Sequence, residues 1–219
     1  MSTTSPKPSD GKFAALCGLP QLPPLSTRSS NKLYDGDCIA LWDKYAMPTN
    51  IRRHSLLVAH IAENLAELAL QRHVALCVED VRASALLHDL GKMYSLKYGG
   101  GHASIGAAWV VAETRNYAVA QGVMHHVYWP WSITHDASCC QLPILVLYAD
   151  KRARHDQCVT LDERFDDLLV RYGKNAQAVA AIDASLKQMK AVEAALISFL
   201  GWEGLDAYTF TCRGLVDGA

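Results

Sequence analysis

The sequence predicts an all-α fold, a single-domain helical bundle, and three observations carry that expectation. Apolar residues recur at spacings of three and four along most of the chain, which lines one face of a helix. Helix start and stop signals punctuate those runs. Alternating apolar-polar stretches and hairpin turn dipeptides, the marks of strands, are scarce. With 219 residues, half of them apolar, the chain is long enough for one sizeable core.

Taken in order, residues 1–31 read as a poorly ordered arm: five of the eight prolines fall in the first 24 residues, and such a stretch cannot bury enough apolar surface to fold. Leu16, Leu19, Leu22 and Leu25 give it limited means of docking. Residues 32–158 read as a helical core, and 159–219 as C-terminal helices packing on it. Within the core, a short helix through Cys38, Leu41, Trp42 and Tyr45 stops at Pro48. Thr49 or Asn50 then caps a long helix starting near Ile51, on which His54, Val58, Ile61, Leu65 and Leu68 form one buried stripe. A helix through Val81, Ala85 and Leu86 ends in Leu87-His88-Asp89-Leu90, with Gly91 as its C-terminal stop. After Gly99-Gly100-Gly101 comes a helix with His102, Ile105, Trp109 and Ala112 on one face. Two more run through Val119 to Val127 and Leu142 to Ala153. Thr160 and Glu163 have the form of a capping box, Gly173 ends that helix, and Val179, Ile182, Leu186, Met189, Leu196 and Leu200 lie on the last one.

Composition excludes several classes of function. A net charge of -1 gives no bulk attraction for nucleic acid or anionic membranes. The seven cysteines are odd in number and contain no C-x-x-C, which fits reduced thiols rather than a disulfide framework or a structural zinc site. No signal-peptide order and no span-length apolar run is present. The expectation is a soluble cytoplasmic protein.

Chemistry is carried by histidines and aspartates. The dipeptide His-Asp occurs three times, at 88-89, 135-136 and 155-156, so context must separate them. Only His88-Asp89 closes an apolar helical run and is followed by a Leu-Gly turn; the other two read as solvated turns. His54 lies on a buried stripe, where a hydrogen-bonded core histidine is the plain alternative to a ligand. Asp150 ends the apolar run Ile144 to Ala149, and a buried carboxylate requires a cation, a metal or a basic neighbour such as Lys151 or Arg152. His102, His125 and His126 add imidazoles on the helices between. Helical spacing puts His126 in line with Val119 and Val123 and turns His125 aside; both are kept as candidate ligands.

The order His54, His88-Asp89, Asp150, with Leu86-Leu87-His88-Asp89-Leu90-Gly91-Lys92 around the pair, resembles the HD-domain superfamily of metal-dependent phosphohydrolases. The resemblance runs from about Asn50 to Asp156 and extends weakly into the Leu161–Phe165 helix. It implies an HD-type helical bundle in which His54, His88, Asp89 and Asp150 ligate one divalent metal. His102-Ala103-Ser104-Ile105-Gly106 and the pair His125-His126 are similar to elements of dinuclear HD subfamilies, which implies a second ion with Asp89 bridging. The Val127-Tyr128-Trp129-Pro130 segment departs from the extended motif of the HD-GYP group, so a cyclic dinucleotide substrate is not implied.

A hydrolytic reaction follows from those ligands. Divalent ions lower the pKa of bound water from 15.7 to roughly 7–9, and mixed imidazole and carboxylate ligands favour Mn, Fe, Co or Zn. The expected catalytic residues are Asp89 and Lys92, with Lys92, Arg53, Lys151 and Arg154 as candidate phosphate contacts. The expected substrate is a nucleotide or related small phosphate ester. Tyr128-Trp129-Pro130-Trp131 either stacks on a base or packs a helix connection. A di-iron oxygenase of the same fold and a non-catalytic metal or nucleotide sensor are the alternatives.

Overall fold

Helix α1 (Asp35–Lys44) opens the part of the chain that the structure, a computed structural model, describes: residues 31–201. Residues 1–30, all but the last of the expected N-terminal arm together with its leucines, and residues 202–219, the end of the expected C-terminal segment, lie outside it. Among the described residues the fold is all-α, with α2 (Thr49–Gln71), α3 (Val78–Leu87), α4 (Lys92–Tyr98), α5 (His102–Thr114), α6 (Tyr117–His125), α7 (Leu142–Lys151), α8 (Leu161–Tyr172) and α9 (Ala176–Leu200). A two-residue hairpin, β1 (Ala153–Arg154) with β2 (Gln157–Cys158), interrupts the helices. None of these helices is long and apolar enough to cross a membrane.

Helix α7 is the centre of the bundle. Every residue from Pro143 to Lys151 is buried, as expected for a helix that is apolar on all sides and enclosed by others. It packs against α2, α3, α6 and α9. Fully burying a side chain such as Ile144, Leu145 or Leu147 is worth about 1.5–3 kcal/mol, so this run anchors the fold and fixes where Asp150 emerges. Helix α2 packs along α3 and α7 through the predicted stripe: His54, Val58, Ile61 and Leu65 are buried and Leu68 is partly so. The Trp42 indole N–H donates to the carbonyl of Leu86 at 2.9 Å, giving a partner to one of the orphan carbonyls at the end of α3 and tying α1 to the His88-Asp89 turn.

Several local expectations are corrected. Helix α2 begins at Thr49 with Pro48 as its N-cap and no side-chain cap, because Pro48 already holds extended backbone and needs no N–H. The segment after Gly91 forms α4, a short exposed helix that the sequence pattern did not mark. The Leu142 helix ends at Lys151, and Ala153 belongs to the hairpin. The capping box at Thr160 and Glu163 is formed.

Gly91 is also not a left-handed helix stop; its backbone is right-handed (φ -79°, ψ -2°). Its purpose is close approach. A Cβ there would sit 2.4 Å from the His102 carbonyl oxygen and 2.8 Å from the Gly106 nitrogen. Gly106 is confined in turn, its Cβ position 3.1 Å from Val123 and 3.3 Å from the Gly91 nitrogen. The two glycines let the start of α5 lie directly on the turn that follows His88-Asp89, with α6 behind it.

Candidate metal centre

Six of the predicted ligands converge on one point from five segments. His54 comes from α2, His88 and Asp89 from the turn after α3, His102 from the start of α5, His126 from the end of α6 and Asp150 from the end of α7. The ligand atoms of His54, His88 and Asp150 lie within 4.8 Å of one another, as do those of His88, Asp89 and His126. His54 Nε2 is 3.0 Å from Asp150 Oδ1, and His88 Nε2 is 3.7 Å from the same oxygen. On the other side, Asp89 Oδ1 is 3.5 Å from His102 Nε2 and 3.9 Å from His126 Nε2, while its Oδ2 is 3.5 Å from His88 Nε2. Asp89 therefore faces both groups. His102 and His126 aim their Nε2 atoms at the same space, 3.0 Å apart.

Backbone carbonyls set which ring nitrogen faces inward. Nδ1 of His88 donates to Ala85, Nδ1 of His126 to Val123 and Nδ1 of His54 to His155, at 2.7, 2.7 and 3.0 Å. A carbonyl only accepts, so Nδ1 carries a proton and it is Nε2 that each ring turns toward the cluster, free to ligate once it is deprotonated. The first two bonds are local, reaching back three residues to the end of each ring's own helix. The third depends on the hairpin turn at His155, where φ is +57°.

The donor set fits a cation. His88 Nε2 is fully buried and has no hydrogen-bond partner, an arrangement that is costly unless something fills it. Burial alone would favour the neutral acid on Asp89, but His88 and Lys92 hold it well below the usual carboxylate range. Burial is likewise overcome at Asp150 by Lys151 and His54. For His88, burial works against the imidazolium, yet the carboxylates of Asp89 and Asp150 raise it above the ordinary value. Burial, reinforced by His88, pushes His126 down to about 3, and burial lowers His102 as well. Two ionised carboxylates with the neutral imidazoles of His102 and His126 in one buried cluster form a donor set that fits a divalent metal.

Each carboxylate also pairs with a lysine through its Oδ2. Lys92 Nζ is 2.6 Å from Asp89 Oδ2, and Lys151 pairs with Asp150 Oδ2. Lys151 thus supplies the basic neighbour that Asp150 required, while Arg152 turns away to Tyr148, Glu193 and the Val159 carbonyl. The remaining predicted phosphate contacts are not brought here. Arg53 is exposed on α2 and Arg154 sits on β1, and neither lines the cavities that open on the centre. Arg164 and Arg171 of α8 line both cavities. They are seven residues apart, with Asp167 between them at 3.2 and 3.0 Å. Their shared stripe with Phe165, Leu168 and Tyr172 was the available signal. Proximity along the chain pointed instead to Arg53 and Arg154, which stand near His54 and Asp150 in sequence but line neither cavity.

His125 is not brought to the centre either. One residue from His126 on α6, it points to the other side and meets the rings of Trp129 and Trp131, in a separate cavity of about 370 Å³. A helix turns about 100° per residue, so adjacent histidines cannot both face one ion. The aromatic loop divides the same way: Trp129 is buried, its backbone carbonyl accepting from Gln188, packing the connection, while Tyr128 lines the cavity at the cluster of His and Asp side chains. His135-Asp136 is a turn, with Asp136 capping a 3-10 segment through the Ser138 N–H. His155-Asp156 is a turn too, but His155 supports the site with its carbonyl on His54 and its Nε2 2.6 Å from Arg171.

A family model described as HD domain matches residues 51–166, more than half of the chain. The chain belongs to the HD domain family. The matched segment holds all six converging ligands together with Lys92, Lys151 and Arg164. In this HD domain, the pair His88-Asp89 lies where the two halves of the cluster meet. Arg171 and the whole of α9 lie beyond the match. No curated protein and no solved structure was found to match the chain.

Proposed function

We propose that this HD domain is a metal-dependent phosphohydrolase acting on a small-molecule phosphate ester, with two divalent transition-metal ions (Mn, Fe, Co or Zn) side by side. The observation that carries this reading is the buried, unpartnered Nε2 of His88 between two ionised carboxylates. His54, His88 and Asp150 would hold one ion. His102 and His126 would hold the other, with Asp89 facing both. Ions bound there supply Lewis acidity toward water and a phosphoryl oxygen.

The chain's own residues do the rest. Lys92 and Lys151 balance Asp89 and Asp150; once that charge is balanced otherwise, their ammonium groups bind phosphate oxygens at the rim of the cluster. Arg164 adds a guanidinium whose buried Nε has no partner of its own. The carbonyls of Ala85, Val123 and His155 hold the three imidazoles in the orientation and tautomer that the ligands need.

Metal analysis of anaerobically purified protein, followed by a panel of phosphomonoesters and phosphodiesters, tests the reading. The expected result is about two ions per chain and metal-dependent phosphate release, both lost in Asp89→Ala. Normal metal content and turnover in that variant would sink it. Iron-dependent oxygen consumption without hydrolysis would favour the oxygenase, and metal binding without turnover the sensor.

A further inference from the structure

The larger of the two cavities at the centre, about 690 Å³, has a size suited to a small organic ligand. One wall is the metal cluster with Lys92 and Lys151. Another is built by α8 and α9, from Phe165, Leu168, Ile182, Ala181 and Ala184. Around the opening stand Leu96, Tyr128 and Tyr172, which are 74%, 59% and 55% exposed. Single exposed apolar residues mean little, but three from separate segments around one opening mark a binding surface.

The polar side of the lining is as informative. Outside the cluster and the cations Lys92, Lys151, Arg164 and Arg171, the polar side-chain groups of the lining are the hydroxyls of Ser95, Ser185, Tyr128 and Tyr172. Among the described residues, no Asn, Gln, Thr or Glu side chain lines this cavity. A nucleobase carries several donors and acceptors, and leaving them unmatched costs about 1–3 kcal/mol each. An alkyl or aryl group carries none. We infer that the cavity between the metal cluster, α8 and α9 takes the apolar organic part of the substrate, an alkyl or aryl phosphate ester rather than a nucleotide. This assignment rests on the phosphohydrolase reading of the same centre. It assigns specificity to Leu168 and Ile182, both outside the residues that the family model matches.

Binding of non-hydrolysable probes tests it independently of turnover. Inorganic phosphate, ethyl, butyl, hexyl and octyl phosphonate and the non-hydrolysable 5′-phosphonate analogue of AMP, standing in for AMP, would be titrated calorimetrically into the full-length Mn-loaded protein. Affinity is expected to rise by about twofold to fourfold per methylene, the upper figure being that of a fully buried CH2, and hexyl phosphonate is expected to bind more tightly than AMP. Leu168→Ser with Ile182→Ser should flatten the chain-length dependence. Ala184→Trp, on an exposed helix position where folding is not at stake, should fill the cavity and weaken octyl more than ethyl phosphonate. Affinities that stay level from ethyl to octyl, or tighter binding of AMP, would overturn the inference. Failure to hydrolyse any ester would instead overturn the phosphohydrolase reading, while the phosphonate series still decides what the cavity accepts.

Discussion

Gly91→Ala tests how the fold delivers the second half of the cluster. The added methyl would lie 2.4 Å from the His102 carbonyl oxygen and 2.8 Å from the Gly106 nitrogen, where ordinary contact begins near 3.4 Å. Both obstacles are backbone, so no side chain can rotate away. The turn and the start of α5 must separate by about 1 Å, an overpacking strain that typically costs about 1–3 kcal/mol. His102, the first residue of α5, moves with it, away from Asp89 Oδ1 at 3.5 Å. Metal affinity on the His102 side should fall by about 10- to 100-fold, the range seen when a ligand loses its positioning partner, while His54, His88 and Asp150 keep theirs. Urea denaturation of the metal-free protein reads the first effect, and calorimetric Mn titration the second. Unchanged stability would refute the packing argument. A destabilised variant that still binds two ions with wild-type affinity would refute the link from turn to site.

His102→Ala should lose about one ion per chain and keep the other, whereas His125→Ala should keep both; elemental analysis that finds equal metal content in the two variants would remove His102 from the ligand set. Lys92→Ala should lower kcat/KM by about tenfold to a hundredfold, the worth of one charge-assisted hydrogen bond, at unchanged metal stoichiometry, and unaltered kinetics would return Lys92 to a purely charge-balancing role. Metal affinity should fall as pH is lowered, because ligands must shed protons to bind. The carboxylates hold the His88 proton above the ordinary imidazole range, while His126 stays neutral down to about 3. Competition should therefore begin at His88, and Mn affinity should weaken over a range that starts above the ordinary imidazole value. An affinity that is flat or rises across that range would contradict the assignment.

By itself the sequence determined the helical class, the order of the main helices and seven candidate ligands, of which six form the cluster. Those features are local or periodic. His54, Val58, Ile61 and Leu65 share a face whatever they pack against, and the apolar run before Asp150 declares its burial in advance. His88 and His126 are legible for the same reason, the first from the apolar run it closes and the second from its alignment with Val119 and Val123. Tertiary structure decided what depends on meetings between distant segments. Only the packing of α5 on the turn shows that Gly91 permits close approach rather than ending a helix. The facing of adjacent side chains on α6 sends His125 to another cavity, and the hairpin places the His155 carbonyl on His54, 101 residues away. Arg164 and Arg171 reach the cavity because α8 folds back over it. Their sequence neighbours are not ligands, so proximity along the chain could not select them. A charge's role depends on the low-dielectric surroundings and partners it meets in space, and those exist only once the helices are packed.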